Sequence, residues 1–130
     1  MYTKTTHNIK VSVEVVYLEE QSQPSTHQYM WAYRVRLENL GKHPVRLIGR
    51  HWEVTDALGR MQEVFGEGVV GQTPVLEPNI PFEYTSGTPL STPSGIMMGD
   101  YTMLTKDGQE FIINIPPFSL DSPHQHISLH

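Results

Sequence analysis

The stretch YMWAYRVRLE, residues 29–38, decides the fold class because its large apolar side chains recur at every second position. This period of two places one set of side chains on a single face of a β-strand. The apolar set is Tyr29, Trp31, Tyr33, Val35 and Leu37, and the opposite face carries Arg34, Arg36 and Glu38. Aromatic and β-branched side chains favour strands. Residues 29–38 therefore predict a core strand of an all-β protein.

The rest of the chain repeats this pattern in short segments separated by turn residues. Residues 9–17 alternate in the same way, and further strands are predicted at 45–55, 60–65, 81–86, 95–105 and 109–115. Glycine, asparagine and aspartate at 39–42, 56–59 and 106–108 favour tight turns. Five prolines between positions 74 and 93 exclude a long helix there. Seven short strands predict a two-sheet sandwich of the immunoglobulin or fibronectin type III kind.

Length and composition predict a single domain. The 130 residues suffice for one hydrophobic core, and we expect residues 119–130 to form a polar surface tail. The chain has no apolar run of about 20 residues and no signal-peptide pattern at its start, which predicts a cytoplasmic protein. It has no cysteine, which excludes disulfides, thiolate nucleophiles and thiolate-bound metals.

The charge distribution argues against nucleic-acid binding, because the formal net charge is −5. Six of the nine basic residues nevertheless fall between positions 34 and 60. This bias leaves a local basic patch open, and Arg34 and Arg36 belong to it.

Residues 66–71 read Gly-Glu-Gly-Val-Val-Gly and match the glycine pattern of a dinucleotide-binding turn. In such a fold the phosphate lies on the N-terminus of a helix. Here Pro74 and Pro78 would interrupt a helix, so we expect irregular or extended backbone over 66–80. A glycine-rich bend is the favoured interpretation, and an anion-binding loop formed by Gly66, Gly68 and Gly71 is the alternative.

Arg50-His51-Trp52 places a cation, an imidazole and a large aromatic ring in sequence. Since neighbouring side chains of a strand point to opposite faces, Arg50 and Trp52 share one face and His51 lies on the other. Arg50 and Trp52 could form a contact for a partner. Alternatively, Trp52 fills the core and Arg50 lies at its rim.

Sequence patterns for metal sites and catalysis are weak. His124, His126 and His130 could converge, but a polar tail offers no second shell of residues to fix them, so we expect no metal site. The order of serine, histidine and carboxylate residues matches no catalytic triad or zinc-protease motif. We expect a protein that is not an enzyme and has no cofactor.

Several short motifs, taken in order, resemble the ApaG family. They are Trp31-Ala32-Tyr33-Arg34-Val35, Glu38-Asn39, Arg50-His51-Trp52, Thr55-Asp56-Ala57, the glycine run 66–71, Tyr84-Thr85-Ser86-Gly87, Met98-Gly99-Asp100-Tyr101 and Ile115-Pro116-Pro117-Phe118. The resemblance implies a fibronectin-type sandwich. It also implies that Gly66, Gly68 and Gly71 correspond to the glycine run for which nucleotide binding has been proposed in the family. Members of this family have also been linked to cobalt and magnesium efflux. Because this sequence shows no membrane span that could move an ion, the resemblance implies at most an indirect effect on ion resistance.

Domains similar to this family occur in an F-box ubiquitin-ligase adaptor and in a protein that interacts with DNA polymerase, which implies a docking role. We therefore predict a non-catalytic module that binds a protein partner through Arg34, Arg36, Arg50 and Trp52. The alternative is a sensor of a phosphate or nucleotide anion or of a divalent cation. Open sandwiches leave strand edges unpaired, so a homodimer is a further expectation.

Overall fold

A computed structural model describes residues 1–124, which form nine β-strands in two antiparallel sheets. The strands are β1 (Tyr2–Thr6), β2 (Ile9–Tyr17), β3 (Tyr29–Asn39), β4 (Val45–Asp56), β5 (Met61–Glu67), β6 (Val75–Leu76), β7 (Phe82–Leu90), β8 (Gly95–Thr105) and β9 (Glu110–Leu120). The four-stranded sheet has the order β1-β2-β3-β7. The five-stranded sheet has the order β5-β4-β8-β9, with β6 paired to one end of β4. The predicted all-β sandwich is confirmed.

The core lies between the two sheets and takes alternate side chains from each strand. Trp31 and Leu37 of β3 meet Tyr101 of β8 and Ile113 of β9 in one cluster, and all four side chains have no exposed surface. Trp31 also anchors the end of β9, because its indole Nε1 donates to the carbonyl oxygen of Asp121 at 2.8 Å. The sequence 29–38 thus occupies the place in the core that its alternation predicts.

Two predicted hairpins are confirmed. Residues 57–60 join β4 to β5, and the Asp56 carboxylate fixes this turn by accepting the N–H groups of Leu58 and Arg60 at 2.9 and 3.0 Å. Residues 106–109 join β8 to β9, with Gly108 at a φ of 86°. Aspartate and glycine perform here the turn chemistry that their positions predict.

The prediction that residues 39–42 form a tight turn between paired strands is wrong. Strand β3 belongs to the four-stranded sheet and β4 to the other, so this segment crosses between the layers. The buried Asn39 amide organises the crossover by donating to the carbonyls of His43 and Leu76 at 2.8 and 2.9 Å. Its side-chain oxygen accepts the N–H of Gly41 at 2.9 Å.

The chain ends of the sandwich also differ from expectation. Residues 2–6 form a strand paired with β2, although few apolar side chains mark it in the sequence. Strand β9 continues through Pro116 and Pro117 to Leu120, whose side chain is buried, so residues 119–120 are not a surface tail. A sheet edge tolerates these prolines because one row of its N–H groups has no partner strand.

Helical structure in residues 1–124 is limited to two short 3-10 turns, Glu19–Gln21 and Pro24–Thr26. No helix in this range could cross a lipid bilayer.

Candidate functional site

The outer face of the five-stranded sheet carries several exposed apolar side chains. We call this surface the apolar-acidic face. It consists of Met61, Glu63, Phe65 and Glu67 of β5, Gly49, His51, Glu53 and Thr55 of β4, Ile96, Met98, Asp100 and Thr102 of β8, and Ile112 and Asn114 of β9. Its apolar members are between 39% and 72% exposed, and Phe65 has the highest value.

His51 lies at the centre of this face and joins three strands. Its Nδ1 lies 3.1 Å from Oδ2 of Asp100 on β8, and its Nε2 lies 2.8 Å from Oε2 of Glu63 on β5. Glu53, two residues along β4, brings Oε1 to 3.9 Å from the same Nε2. The imidazole ring stacks on Phe65 with centroids 4.4 Å apart. Strand pairing alone builds this cluster, since His51 is directly opposite Phe65 and Asp100.

The electrostatics of the cluster favour a positive charge at its centre. Hydrogen bonds to Asp100 and Glu63 raise the pKa of His51 above its ordinary value, because each carboxylate stabilises the imidazolium form. Three carboxylates surround one imidazole, so the cluster has a negative formal charge whether or not His51 is protonated. A cationic group is the partner that this arrangement favours.

The opposite outer face, on the four-stranded sheet, has a different character. Arg34 pairs with Glu14 at 2.7 Å, and Arg36 pairs with Glu38 and Glu83 at 3.1 and 2.9 Å. Both arginines are exposed as the alternation predicts, but each guanidinium already has an acidic neighbour. A solvated ladder of ion pairs explains this face without a ligand.

Of the two interpretations of Arg50-His51-Trp52, the structure agrees with the one in which Trp52 fills the core, and not with a contact surface formed by Arg50 and Trp52. Trp52 points between the sheets, is 3% exposed, and packs against Tyr33 and Phe118. Arg50 turns toward the glycine run, where its Nη1 donates to the carbonyl oxygens of residues 67 and 68 at 3.0 Å each. Arg34, Arg36, Arg50 and Trp52 therefore do not form one surface, because two lie on an outer face and two point inward.

The glycine run forms a compact bend. Val70 and Gly71 have φ values of 43° and 78°, and Val69 and Gln72 exchange two backbone hydrogen bonds at 2.8 and 2.9 Å around them. After this turn the described backbone is extended or irregular up to β7, as predicted. The backbone N–H groups of Gly68, Val69 and Gln72 donate to backbone carbonyl oxygens of the protein, so they are not available to bind an anion. The geometry therefore disfavours the predicted anion loop of Gly66, Gly68 and Gly71.

The guanidinium of Arg50 is part of this bend. It packs so closely over Gly66 that a Cβ at this position would overlap it. A Cβ at Gly68 would overlap the carbonyl oxygen of Gln72. These two glycines are needed for close packing of the bend, which is a structural role.

A pair of buried tyrosine hydroxyls lies between the sheets. Tyr84 and Tyr101 share a hydrogen bond between their hydroxyls, and both residues are more than nine-tenths buried. Burial raises the pKa of both hydroxyls far above the ordinary value for tyrosine, and that of Tyr33 is raised for the same reason. These hydroxyls stay neutral at physiological pH.

The predicted histidine tail is described only in part. His124 lies against Tyr17 and Tyr29, and its Nε2 is 3.1 Å from Oε1 of Glu19. His126 and His130 lie outside the described residues.

Sequence reasoning missed the cluster around His51. The alternation of β4 places His51 and Glu53 on one face, and that signal was available. Glu63 and Asp100 join them only through strand pairing across the sheet, which no local pattern reveals.

Comparison with known proteins places these features in a family. A family model described as the ApaG domain matches residues 19–105. A curated relative called Protein ApaG from Paramagnetospirillum magneticum is 58% identical over 96% of both chains. Another of that name from Parvibaculum lavamentivorans is 54% identical over the full length of both. A crystal structure of a protein described as ApaA from Bordetella pertussis has a TM-score of 0.86 at 50% identity, covering 90% of this chain and 95% of that one.

Proposed function

The chain belongs to the ApaG family, and from this premise we propose that it is a non-catalytic module that binds a protein partner through the apolar-acidic face. The partner segment carries lysine or arginine side chains next to apolar ones. The observation that carries this proposal is the group of exposed apolar residues around the carboxylates of His51's cluster.

Exposed apolar area supports a binding role for this face. Five of the large apolar side chains that are exposed within residues 1–124 lie on it, namely Met61, Phe65, Ile96, Met98 and Ile112. Large exposed apolar patches on a protein mark interaction sites. Aromatic and methionine side chains are also enriched in the central parts of protein interfaces.

Charge defines the partner's chemistry. The positions that define the apolar-acidic face include Glu53, Glu63, Glu67 and Asp100 and no lysine or arginine, and the exposed Arg46 lies beyond them towards the start of β4. The whole chain has a net charge of −5, which reinforces attraction of a basic segment. Complementary charge raises the association rate, and apolar contact supplies much of the affinity.

The alternative of anion sensing by residues 66–71 has weaker support. The N–H groups of Gly68 and Val69 and the guanidinium of Arg50 are bonded to backbone carbonyls. A phosphate would have to displace these bonds before it could bind.

Site-specific photo-crosslinking in the native cell tests the proposal. A photo-reactive amino acid replaces Phe65, and in the control it replaces Val16, which is 58% exposed on the four-stranded sheet. We expect the probe at position 65 to capture a discrete partner on peptides that contain basic and apolar residues. The double variant Phe65→Ser/Ile112→Ser, made in purified protein, should lose binding of that partner, and Val16→Ser should retain it.

Three results would contradict the proposal. They are equal capture from positions 16 and 65, binding that the double variant retains, and capture of acidic segments only. Crosslinks from position 65 to a second copy of the chain would instead assign the face to a homodimer, because β5 is an edge strand with its outer row of backbone groups available.

A further inference from the structure

We propose that His51, Glu53 and Glu63 form a binding site for a divalent transition-metal ion. The inference goes beyond partner recognition and does not depend on it. It rests on three donor atoms from two adjacent strands that approach one another closely enough to share one ion: His51 Nε2, an oxygen of Glu53 and an oxygen of Glu63, all within 4.8 Å.

The spacing of the donors matches a coordination sphere. Tetrahedral ligands at bond lengths of about 2.0 Å are about 3.3 Å apart. Nε2 of His51 lies 2.8 Å from the Glu63 oxygen and 3.9 Å from the Glu53 oxygen, on either side of that value. The two glutamate side chains are partly exposed, 35% and 41% accessible, so both have room to rotate toward a shared ion.

The orientation of the imidazole is what separates this cluster from a simple group of surface carboxylates. Asp100 lies 3.1 Å from Nδ1, so it can accept the proton of Nδ1 and leave the Nε2 lone pair directed at the two glutamates. A metal-binding histidine characteristically has its second nitrogen bonded to a carboxylate in this way. Phe65 stacks on the ring at 4.4 Å and restricts its rotation.

The donor set also indicates the class of ion. One imidazole and two carboxylates suit transition-metal ions such as Zn²⁺, which accepts nitrogen and oxygen ligands, better than Mg²⁺, which prefers oxygen ligands and keeps its water. Three protein ligands leave at least one position for water or for a group from a partner. Asp100 acts as a positioning residue, since its carboxylate holds the far side of the ring.

Paramagnetic NMR with Mn²⁺ alone tests the site in the full chain. Substoichiometric Mn²⁺ should broaden backbone amide signals most strongly at residues 51, 53 and 63, and titration with Zn²⁺ should reduce the broadening by competition. The variants His51→Ala and Glu53→Gln should each weaken Zn²⁺ affinity at least tenfold in calorimetric titration. Asp100→Asn should weaken it about 10- to 100-fold, as loss of such a supporting carboxylate does.

Matched controls separate this site from the other histidines and carboxylates. His124→Ala and Glu83→Gln, on other surfaces, should leave the broadening at residues 51, 53 and 63 unchanged. An unaltered amide spectrum away from the cluster shows that each variant remains folded, and Glu53→Gln tests the proposal even if His51→Ala unfolds. Broadening confined to the C-terminal histidines, or affinity that His51→Ala and Glu53→Gln both retain, would overturn the proposal.

Discussion

Two glycines of the bend at 66–71 offer a sharp test of its structural role. Gly68 and Gly71 both have positive φ values, 59° and 78°, so an alanine at either position would adopt a left-handed backbone. They differ in the space around them. A Cβ at Gly68 would overlap the Gln72 carbonyl oxygen, whereas a Cβ at Gly71 has no atom within 4 Å.

The expected costs follow from this difference. A left-handed alanine costs about 1 kcal/mol, and this applies to both Gly68→Ala and Gly71→Ala. At Gly68 the Gln72 carbonyl must also move, and it accepts the Val69 N–H at 2.8 Å in a pair of bonds. Loss of that pair adds roughly 2 kcal/mol, since each bond contributes about 1 kcal/mol. We therefore expect Gly68→Ala to lower the free energy of unfolding by about 3 kcal/mol and Gly71→Ala to lower it by about 1 kcal/mol.

Urea unfolding of the two variants, followed by tryptophan fluorescence, measures this difference. In thermal unfolding of a chain of this size, 1 kcal/mol of stability corresponds to roughly 4 °C in melting temperature. The melting temperatures of the two variants should therefore differ by about 8 °C. The m-values should equal that of the original protein, because the unfolded states expose the same surface. Equal destabilisation by the two substitutions would refute the close packing of Gly68 against Gln72.

Two further predictions concern the core. Trp52→Ala should lower the free energy of unfolding by about 3–5 kcal/mol in denaturant titration, whereas Arg36→Ala should change it by less than about 1 kcal/mol, because only Trp52 is buried. Stability should also fall as pH rises above about 10, where unfolded tyrosines ionise but the raised pKa values of Tyr84 and Tyr101 keep them neutral when folded. Each tyrosine contributes up to about 1.4 kcal/mol per pH unit between its two pKa values, so Tyr84→Phe/Tyr101→Phe should show a shallower loss in alkaline melting curves. If stability fell with pH as steeply in Tyr84→Phe/Tyr101→Phe as in the original protein, the assignment of the two tyrosines would be wrong. A small loss of stability in Trp52→Ala would contradict its place in the core.

The amino-acid sequence by itself determined seven of the nine strands within residues 1–124 and the two hairpin turns at 56–59 and 106–108. The period of two in residues 29–38 is a local property of the pleated backbone, so it identifies both the strand and the side chains that the core receives. Asp56 and Gly108 mark their hairpins for a similar reason, because turn geometry depends on neighbouring residues alone. The alternation also showed that His51 and Trp52 occupy opposite faces.

Only the tertiary structure decided which of those faces meets solvent and which residues converge. Trp52 points inward because the four-stranded sheet covers that side of β4, and Arg50 is drawn into the bend at 66–71. Residues 39–42 cross between sheets because β3 and β4 pair with other strands. His51 meets Glu63 and Asp100 across 12 and 49 residues of sequence through interstrand register. Register depends on contacts between distant segments, and for this reason no local pattern contains it.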